Sequence, residues 1–548
     1  MQALKRLEEA DAIARLRERD TSLFAQDIDS RIPIGQRLGW TDLASKARGR
    51  FPLLSNLASA LASEGARDVL LLGMGGSSLA ALVLARVCGS APGMPALHVL
   101  DTTSPVAVQR VLHTLQQEHT FVIVASKSGT TIEPLSLYAI VRAWLEERLP
   151  RPQAGRHCIV ITDPGSPLEK LRQRELMRVT LSSPASVGGR FSALTLFGLA
   201  PAALIGIDVE QLVARAITME NACGKVSEQN PAAVLAAWIT DAYEAGRDKL
   251  TLVTSPGLAA FGLWVEQLVA ESLGKDGIGI VPVIEYEPTQ PTGYGPDRAV
   301  VVLRLDSDEH LATWSRTTAA EHPVFELALA DALDIGAEFV RWEYAIALVG
   351  FLLGVNPFDE PNVAEAKKAT ADILAGARAV PAAVADLGGT WVTYAGALSV
   401  PSPLPQTRSE ALAGWLRSAR PGDYCAILAF MPEDDTFLAP LTRAAKTLSS
   451  AKGIATTLEL GPRYLHSTGQ LHKGGPDTGV FMLVTARDRT DIPISGEKYT
   501  LAALHRAQAE GDLVTLAAHG RRVMRVDLPS LSAANVASLA EDIRSAAG

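Results

Sequence analysis

Cysteine is scarce in this 548-residue chain: Cys88, Cys158, Cys223 and Cys425 stand singly and far apart, with no CxxC pair. That excludes a disulfide framework and a thiolate cluster, and a reduced, cytoplasmic setting fits. Histidine pairs are missing too: no two of the ten histidines sit four residues apart as helical ligands would, so no metal is expected. Positive charge is not in excess. Lys plus Arg number 51 against 60 Asp plus Glu, a formal net charge of -9, so the chain as a whole attracts neither nucleic acid nor an anionic membrane, and an anionic ligand must be held locally. Long apolar runs are also lacking. Phe191 to Ile207 is interrupted by Gly198 and Pro201 and reads as a buried helix rather than a membrane span. The opening MQALKRLEEADAIARLRERD is charged and amphipathic without an apolar signal core, so export is not expected. With 47% hydrophobic and 20% charged residues, however, the chain has ample material for packed cores.

Short apolar runs alternate with longer helical patterns, the mark of crossover units and mainly parallel sheets. Three series can be drawn. The first holds DVLLLGMG at Asp68, ALHVLD at Ala96, TFVIVAS at Thr120 and HCIVITD at His157. The second begins at DKLTLVTS, continues through GIGIVPVI and RAVVVLRL, and closes with a helical run from Ala337 to Leu353. A looser stretch, Gly388 to Gln406, precedes a third series with YCAILAFM, ATTLEL, GVFMLVT and RVMRVDL. The expected organisation is a helical N-terminal segment (1–60), two doubly wound α/β units (61–225 and 226–387) and a third, C-terminal α/β unit (388–548).

Two turns carry the chemistry. Gly73-Met74-Gly75-Gly76-Ser77-Ser78 follows an apolar strand and precedes a helix, so unhindered amides surround a helix N-terminus, which suits an anion. Ser126-Lys127-Ser128-Gly129-Thr130-Thr131 occupies the same place after TFVIVA and gathers four hydroxyls and one ammonium. A solvated Ser/Thr turn with an ordinary N-cap is the alternative, but both turns lie at strand C-termini, where open parallel sheets bind ligands. Neither is a P-loop or a dinucleotide fingerprint, because GxxxxGK[ST] is absent and GxGxxG does not occur at Gly73.

With GGRFS at Gly188, QLVAESLGK at Gln267 and GVNPFDEPNVAEAKK at Gly354, these turns make five successive motifs, and residues 65 to 370 resemble the glucose-6-phosphate isomerase family, built on the sugar-isomerase (SIS) fold. The resemblance implies an aldose-ketose isomerase that interconverts glucose 6-phosphate and fructose 6-phosphate by ring opening and cis-enediol proton transfer, without cofactor or metal. It implies Ser126, Ser128 and Thr131, with Gly76, Ser77 and Lys127 nearby, as the phosphate grip. Glu271 is implied as the proton-transferring base, Arg190 as the cation at the enediolate, and Lys367 as the ring-opening lysine. Gln267 lies one helical turn before Glu271, on the same face and toward the substrate. Lys368 beside Lys367 leaves an ambiguity, because adjacent helical residues point about 100° apart and only one can enter a pocket.

Two departures stand out. The family's ring-opening histidine lies between the glutamate and the lysine, whereas the interval from Glu271 to Lys367 offers only His310 and His322, neither in a matching motif. RYLHSTGQLHKGG at Arg463 resembles the missing segment, so His466 takes that role by resemblance, with His472 as a substrate-side or structural neighbour. Glu360 stands where relatives carry glutamine near the sugar phosphate. Family members commonly form homodimers in which the histidine comes from the partner subunit. A homodimer is therefore expected, with a monomer that folds His466 back within one chain as the competitor. Two other readings stay open: dual specificity for glucose and mannose 6-phosphates, and a non-catalytic sugar-phosphate-binding regulator. Against a regulator stand Arg190, Glu271 and Lys367 and the lack of a basic recognition helix.

Overall fold

The computed structural model describes residues 1–487 and 490–547. In the first unit β1 (Asp68–Leu72), β2 (Ala96–Leu100), β3 (Thr120–Ala125), β4 (Cys158–Thr162) and β5 (Val179–Ser182) form a parallel sheet in the order β2-β1-β3-β4-β5. The doubly wound order reverses direction between β1 and β3, which opens a crevice beyond their C-terminal ends. Every residue of β3 is buried, as an apolar run without alternation requires when helices cover both faces. β5 is an edge strand with one fully buried residue, so its pattern is not that of a covered strand, and the motif series of the sequence did not include it.

The second unit is a four-stranded parallel sheet, β6 (Lys249–Thr254), β7 (Val281–Glu285), β8 (Arg298–Leu305) and β9 (Val324–Leu329), ordered β7-β6-β8-β9. Its long closing helix is Ile335–Leu353. One apolar core runs continuously from the first sheet to the second, and the Phe191–Ile207 stretch lies inside it as the helix Leu196–Leu204. No described helix is long and apolar enough to cross a membrane.

The third sheet comprises β10 (Ala385–Leu387), β11 (Thr390–Gly396), β12 (Tyr424–Ala429), β13 (Ala455–Leu460), β14 (Gly479–Ala486) and β15 (Arg522–Leu528), in the order β10-β11-β15-β14-β12-β13. β15, β14, β12 and β13 are parallel, whereas β10 and β11 are antiparallel additions. This corrects the reading of Gly388 to Gln406 as a loose stretch over its first part, while residues 397–406 carry no helix or strand. Gly388 and Gly389, at φ +66° and +87°, turn a two-residue hairpin between β10 and β11, a geometry that needs two positive φ values and hence glycine. The third sheet thus begins at Ala385, ahead of the expected start at 388. An apolar seam of Ala270, Val281 and Val283 with Tyr424, Leu465, Leu471 and Phe481 docks this unit on the second. A second contact, through Ile494 and Leu501, reaches the first unit's core.

Candidate active site

Both glycine- and hydroxyl-bearing turns emerge at the β1/β3 reversal. Gly75 has φ +50°, and a Cβ there would come within 3.0 Å of both Gln267 Nε2 and His466 Cβ. A Cβ on Gly76 would sit 2.1 Å from the Gly189 carbonyl oxygen, so glycine is required for the first turn to lie against GGRFS. Ser77 is half-buried, and its hydroxyl makes no hydrogen bond among the described residues. In the second turn, Gly129 N–H donates to Ser126 Oγ at 3.1 Å, Ser126 Oγ lies 3.0 Å from Thr131 Oγ1, and Ser128 Oγ lies 3.0 Å from Thr130 Oγ1. Thr131 is the N-cap of helix Ile132–Glu146, yet its side chain caps no amide, so the hydroxyl stays with Ser126 at the positive end of the helix. Lys127 lies in the turn, but its ammonium is ion-paired with Asp163 and donates to Ala185 O at 3.3 Å.

Arg190 is 3% exposed and every arm is used. Nε donates to Ser272 Oγ at 2.8 Å, Nη2 to Pro357 O at 2.6 Å, and Nη1 lies 3.0 Å from both Glu271 Oε1 and Glu360 Oε2. Glu271 projects from helix Phe261–Leu273, which follows β6, and is 8% exposed. Its Oε2 accepts from Gln267 Nε2 at 3.0 Å, one turn earlier on the same face. Burial pushes the Glu271 carboxyl above the ordinary glutamate range, against the opposing pull of Arg190. Glu360, also burdened by burial, is held below that range chiefly by Arg190 and then by Arg37, whose guanidinium lies 3.8 Å away. Lys275 orders the same segment by donating to Asn356 O, Asp359 O and Asp359 Oδ1 at 2.6–2.7 Å, and burial lowers its ammonium to about 8.

The third unit reaches this site within the same chain. His466 ends the turn Arg463–His466 after β13, and its carbonyl accepts from Gln267 Nε2 at 2.8 Å. Its ring Nε2 lies 2.8 Å from Glu133 Oε1, in the first turn of the helix behind the hydroxyl turn. Burial works against ionised Glu133, but His466 overrides it and holds the carboxyl below the usual range, with a smaller contribution from Lys367. Lys367, on helix Pro361–Leu374, is exposed and makes no hydrogen bond or ion pair among the described residues; Lys368 points elsewhere, paired with Asp372 at 2.7 Å. His472 is buried 2.8 Å from both Tyr424 OH and Glu459 Oε2, a structural tie rather than an open ring.

Glu133, Arg37 and Lys275 are functional candidates that sequence reasoning missed. Glu133 stood in plain view within SKSGTTIEP. Its signal was a carboxylate at a helix start with apolar neighbours, where burial demands a partner. Arg37 carries no motif. Among the described residues no group of three or more metal-ligating side chains could hold an ion.

A family profile described as phosphoglucose isomerase matches residues 58–295. A glucose-6-phosphate isomerase of Rubrobacter xylanophilus is 32% identical over 367 residues, covering 57% of this chain and 84% of that protein. The chain belongs to the glucose-6-phosphate isomerase family. Another family member, from Symbiobacterium thermophilum, is 31% identical over 379 residues, 59% of this chain and 84% of its own. Among solved structures, a hypothetical protein from Thermus thermophilus superposes with a TM-score of 0.59 at 26% identity, over 68% of this chain and 97% of that one. A glucose-6-phosphate isomerase from Chlamydia trachomatis shares the fold with a TM-score of 0.53 at 19% identity, over 66% of this chain and 78% of that one.

Proposed function

We propose that this chain interconverts glucose 6-phosphate and fructose 6-phosphate. In this reading the sugar's phosphate lies on Ser126, Ser128 and Thr131 with Ser77 and the Gly76 turn beside it, where hydroxyls and helix N-termini favour a dianion. Lys127, tied back to Asp163, adds charge from the side of the turn. His466, oriented by Glu133, gives a proton to the ring oxygen with Lys367 at hand, and the anomeric hydroxyl's proton passes to the imidazole this leaves. On the open chain, Glu271 removes the C2 hydrogen as a proton and returns it to C1, while the hydroxyl proton on O2 passes to O1 through the enediolate. Gln267 fixes the orientation of the carboxylate. Arg190, its arms held by Ser272, Pro357, Glu271 and Glu360, acts on the enediolate through its permanent positive charge, which stabilises that state more than the ground state.

The observation that carries this reading is the buried Glu271 carboxylate, held 3.0 Å from both Arg190 and Gln267. Such a base is poised nearer working pH than an exposed glutamate, while the guanidinium keeps an ionised fraction available. His466 acts in cis. Support comes from its carbonyl bond to Gln267 of its own chain, so a homodimer, if formed, is not needed to complete the site. We assign the work to the cytoplasm, where phosphorylated sugars are retained.

The direct test is conversion of fructose 6-phosphate to glucose 6-phosphate by purified protein with EDTA present, and mannose 6-phosphate run beside it. Product and C2-proton exchange with solvent deuterium are expected; a protein that binds the sugar phosphate but exchanges nothing would sink the reading and leave a regulator. Mixing Glu271→Gln with His466→Gln chains tests cis action, since recovered turnover requires sites shared between chains.

A further inference from the structure

Glu133 has a second partner besides His466. Gln508, on helix Leu501–Ala518 of the third unit, donates from Nε2 to the same Glu133 Oε1 at 2.8 Å. Its own carbonyl oxygen accepts from the Thr103 hydroxyl at 2.6 Å, and the His505 ring Nδ1 lies 2.9 Å from that hydroxyl. Gln508 is 2% exposed and Thr103 fully buried, so neither end of the amide has water to turn toward. Because an ionised carboxylate only accepts, the amide has one orientation, with N–H aimed at Glu133 and its carbonyl toward the buried Thr103 hydroxyl.

Resting on the isomerase reading above, we infer that Gln508 is a positioning residue for ring opening: it holds the Glu133 carboxylate in the place from which that carboxylate orients His466. The third unit then supplies both the acid and the group that positions the acid's partner, from two different elements of its chain. Chain topology makes this necessary. Glu133 belongs to the first unit and His466 to the third, and a carboxylate bonded only to the imidazole would follow every shift of one unit against the other. Gln508 ties it to a second third-unit element, so Glu133 and His466 stay in register.

The charged groups that face the pair are few. Lys367 acts on Glu133 from helix Pro361–Leu374, and Glu271 interacts with His466 from helix Phe261–Leu273. His505 is lowered to about 4 by burial and is neutral near pH 7. The amide N–H favours the ionised carboxylate. Its removal leaves the Glu133–His466 pair holding its proton more tightly, so the alkaline limb of the kcat profile, where that proton is lost, moves to higher pH. The acid limb belongs to Glu271, which Gln508 does not touch, and stays.

The experiment uses the full-length chain with Gln508→Met, a donor-free near-isostere, and Gln508→Glu, which sets a second carboxylate against the first. For the Met variant kcat should fall about tenfold with KM for fructose 6-phosphate nearly unchanged, as for loss of an orienting hydrogen bond remote from the phosphate. The alkaline limb should rise in both variants, further for Glu. Folding is checked by circular dichroism and melting. If Gln508→Met fails to fold, Gln508→Glu decides alone. Unchanged kcat and an unmoved alkaline limb overturn the inference, as does lower kcat with an unmoved limb, which would mark a merely structural residue. An inactive wild-type chain would instead overturn the isomerase reading.

Discussion

The two isomerase units bring opposite materials to one site. The first sheet contributes turns: hydroxyls and amides at the ends of β1 and β3, with Ser128 exposed and Thr131 half-exposed. The second contributes the C-terminal half of a helix, where Gln267 and Glu271 are buried and hydrogen-bonded to one another. Holding a hydrated dianion calls for several exchangeable donors at a surface that water can leave. Moving a proton between adjacent carbons calls for one carboxylate with its pKa raised and its direction set, and burial on a rigid helix supplies both. The sheets are alike and the chemistry divides between a loop and a helix.

The sharpest break of that division is Glu271→Gln. Removing the base from a formed pocket should lower kcat about 1000-fold while KM shifts by only a few-fold, and C2 exchange with deuterium should vanish, read by NMR of the recovered sugar. In the wild type, the acid limb of kcat should lie above the ordinary glutamate range, because the buried carboxyl must lose its proton to act and activity falls as pH drops through its raised pKa. Next in size, His466→Gln should cost about 100-fold in turnover by the loss of one general acid. Ser128→Ala tests the opposite half: KM should rise about tenfold with kcat nearly kept, the loss of one charge-assisted hydrogen bond in steady-state kinetics. A Ser128→Ala variant that lost kcat rather than affinity would show that the turn shares in the chemistry and would dissolve the contrast.

What was legible in the sequence follows from the same contrast. Strands covered on both faces announced themselves as apolar runs, so β1, β3, β4, β6 and β8 could be read directly, and the glycine and hydroxyl turns followed from their place after those strands. Edge strands such as β5 and β9 are half-exposed and leave a mixed pattern, while the β10–β11 hairpin hid in a glycine pair that resembled a linker. Glu271, Arg190 and His466 could be singled out because they sit in motifs. Their partners were not, since Glu133, Gln508 and Arg37 gain meaning only when residues more than a hundred positions apart meet. Glu360 shows the limit from the other side. A carboxylate where relatives carry a neutral amide stood out only as a departure, and the fold alone shows Arg190 and Arg37 beside it.

Glu343 sharpens the comparison at its smallest scale, because it is a buried carboxyl in the second unit without the partners that Glu271 has. It lies on helix Ile335–Leu353, 2% exposed, with no hydrogen bond to Oε1 among the described residues, and the charge that acts on it is another carboxylate, Glu220. Burial first, and Glu220 second, push its pKa well above the ordinary value. The folded protein therefore binds this proton more tightly than the unfolded chain, so the stability it contributes is present below the unfolded pKa and falls as pH rises toward the folded one, by about 1.4 kcal/mol for each pH unit between them. Glu343→Gln removes that slope. Between pH 5 and pH 8 the variant should lose less stability than the wild type in urea titrations, with the larger gain at the alkaline end and no change in kcat. Identical slopes would mean that Glu343 is ionised and paired in solution, and that an arginine partner is not what separates it from Glu271.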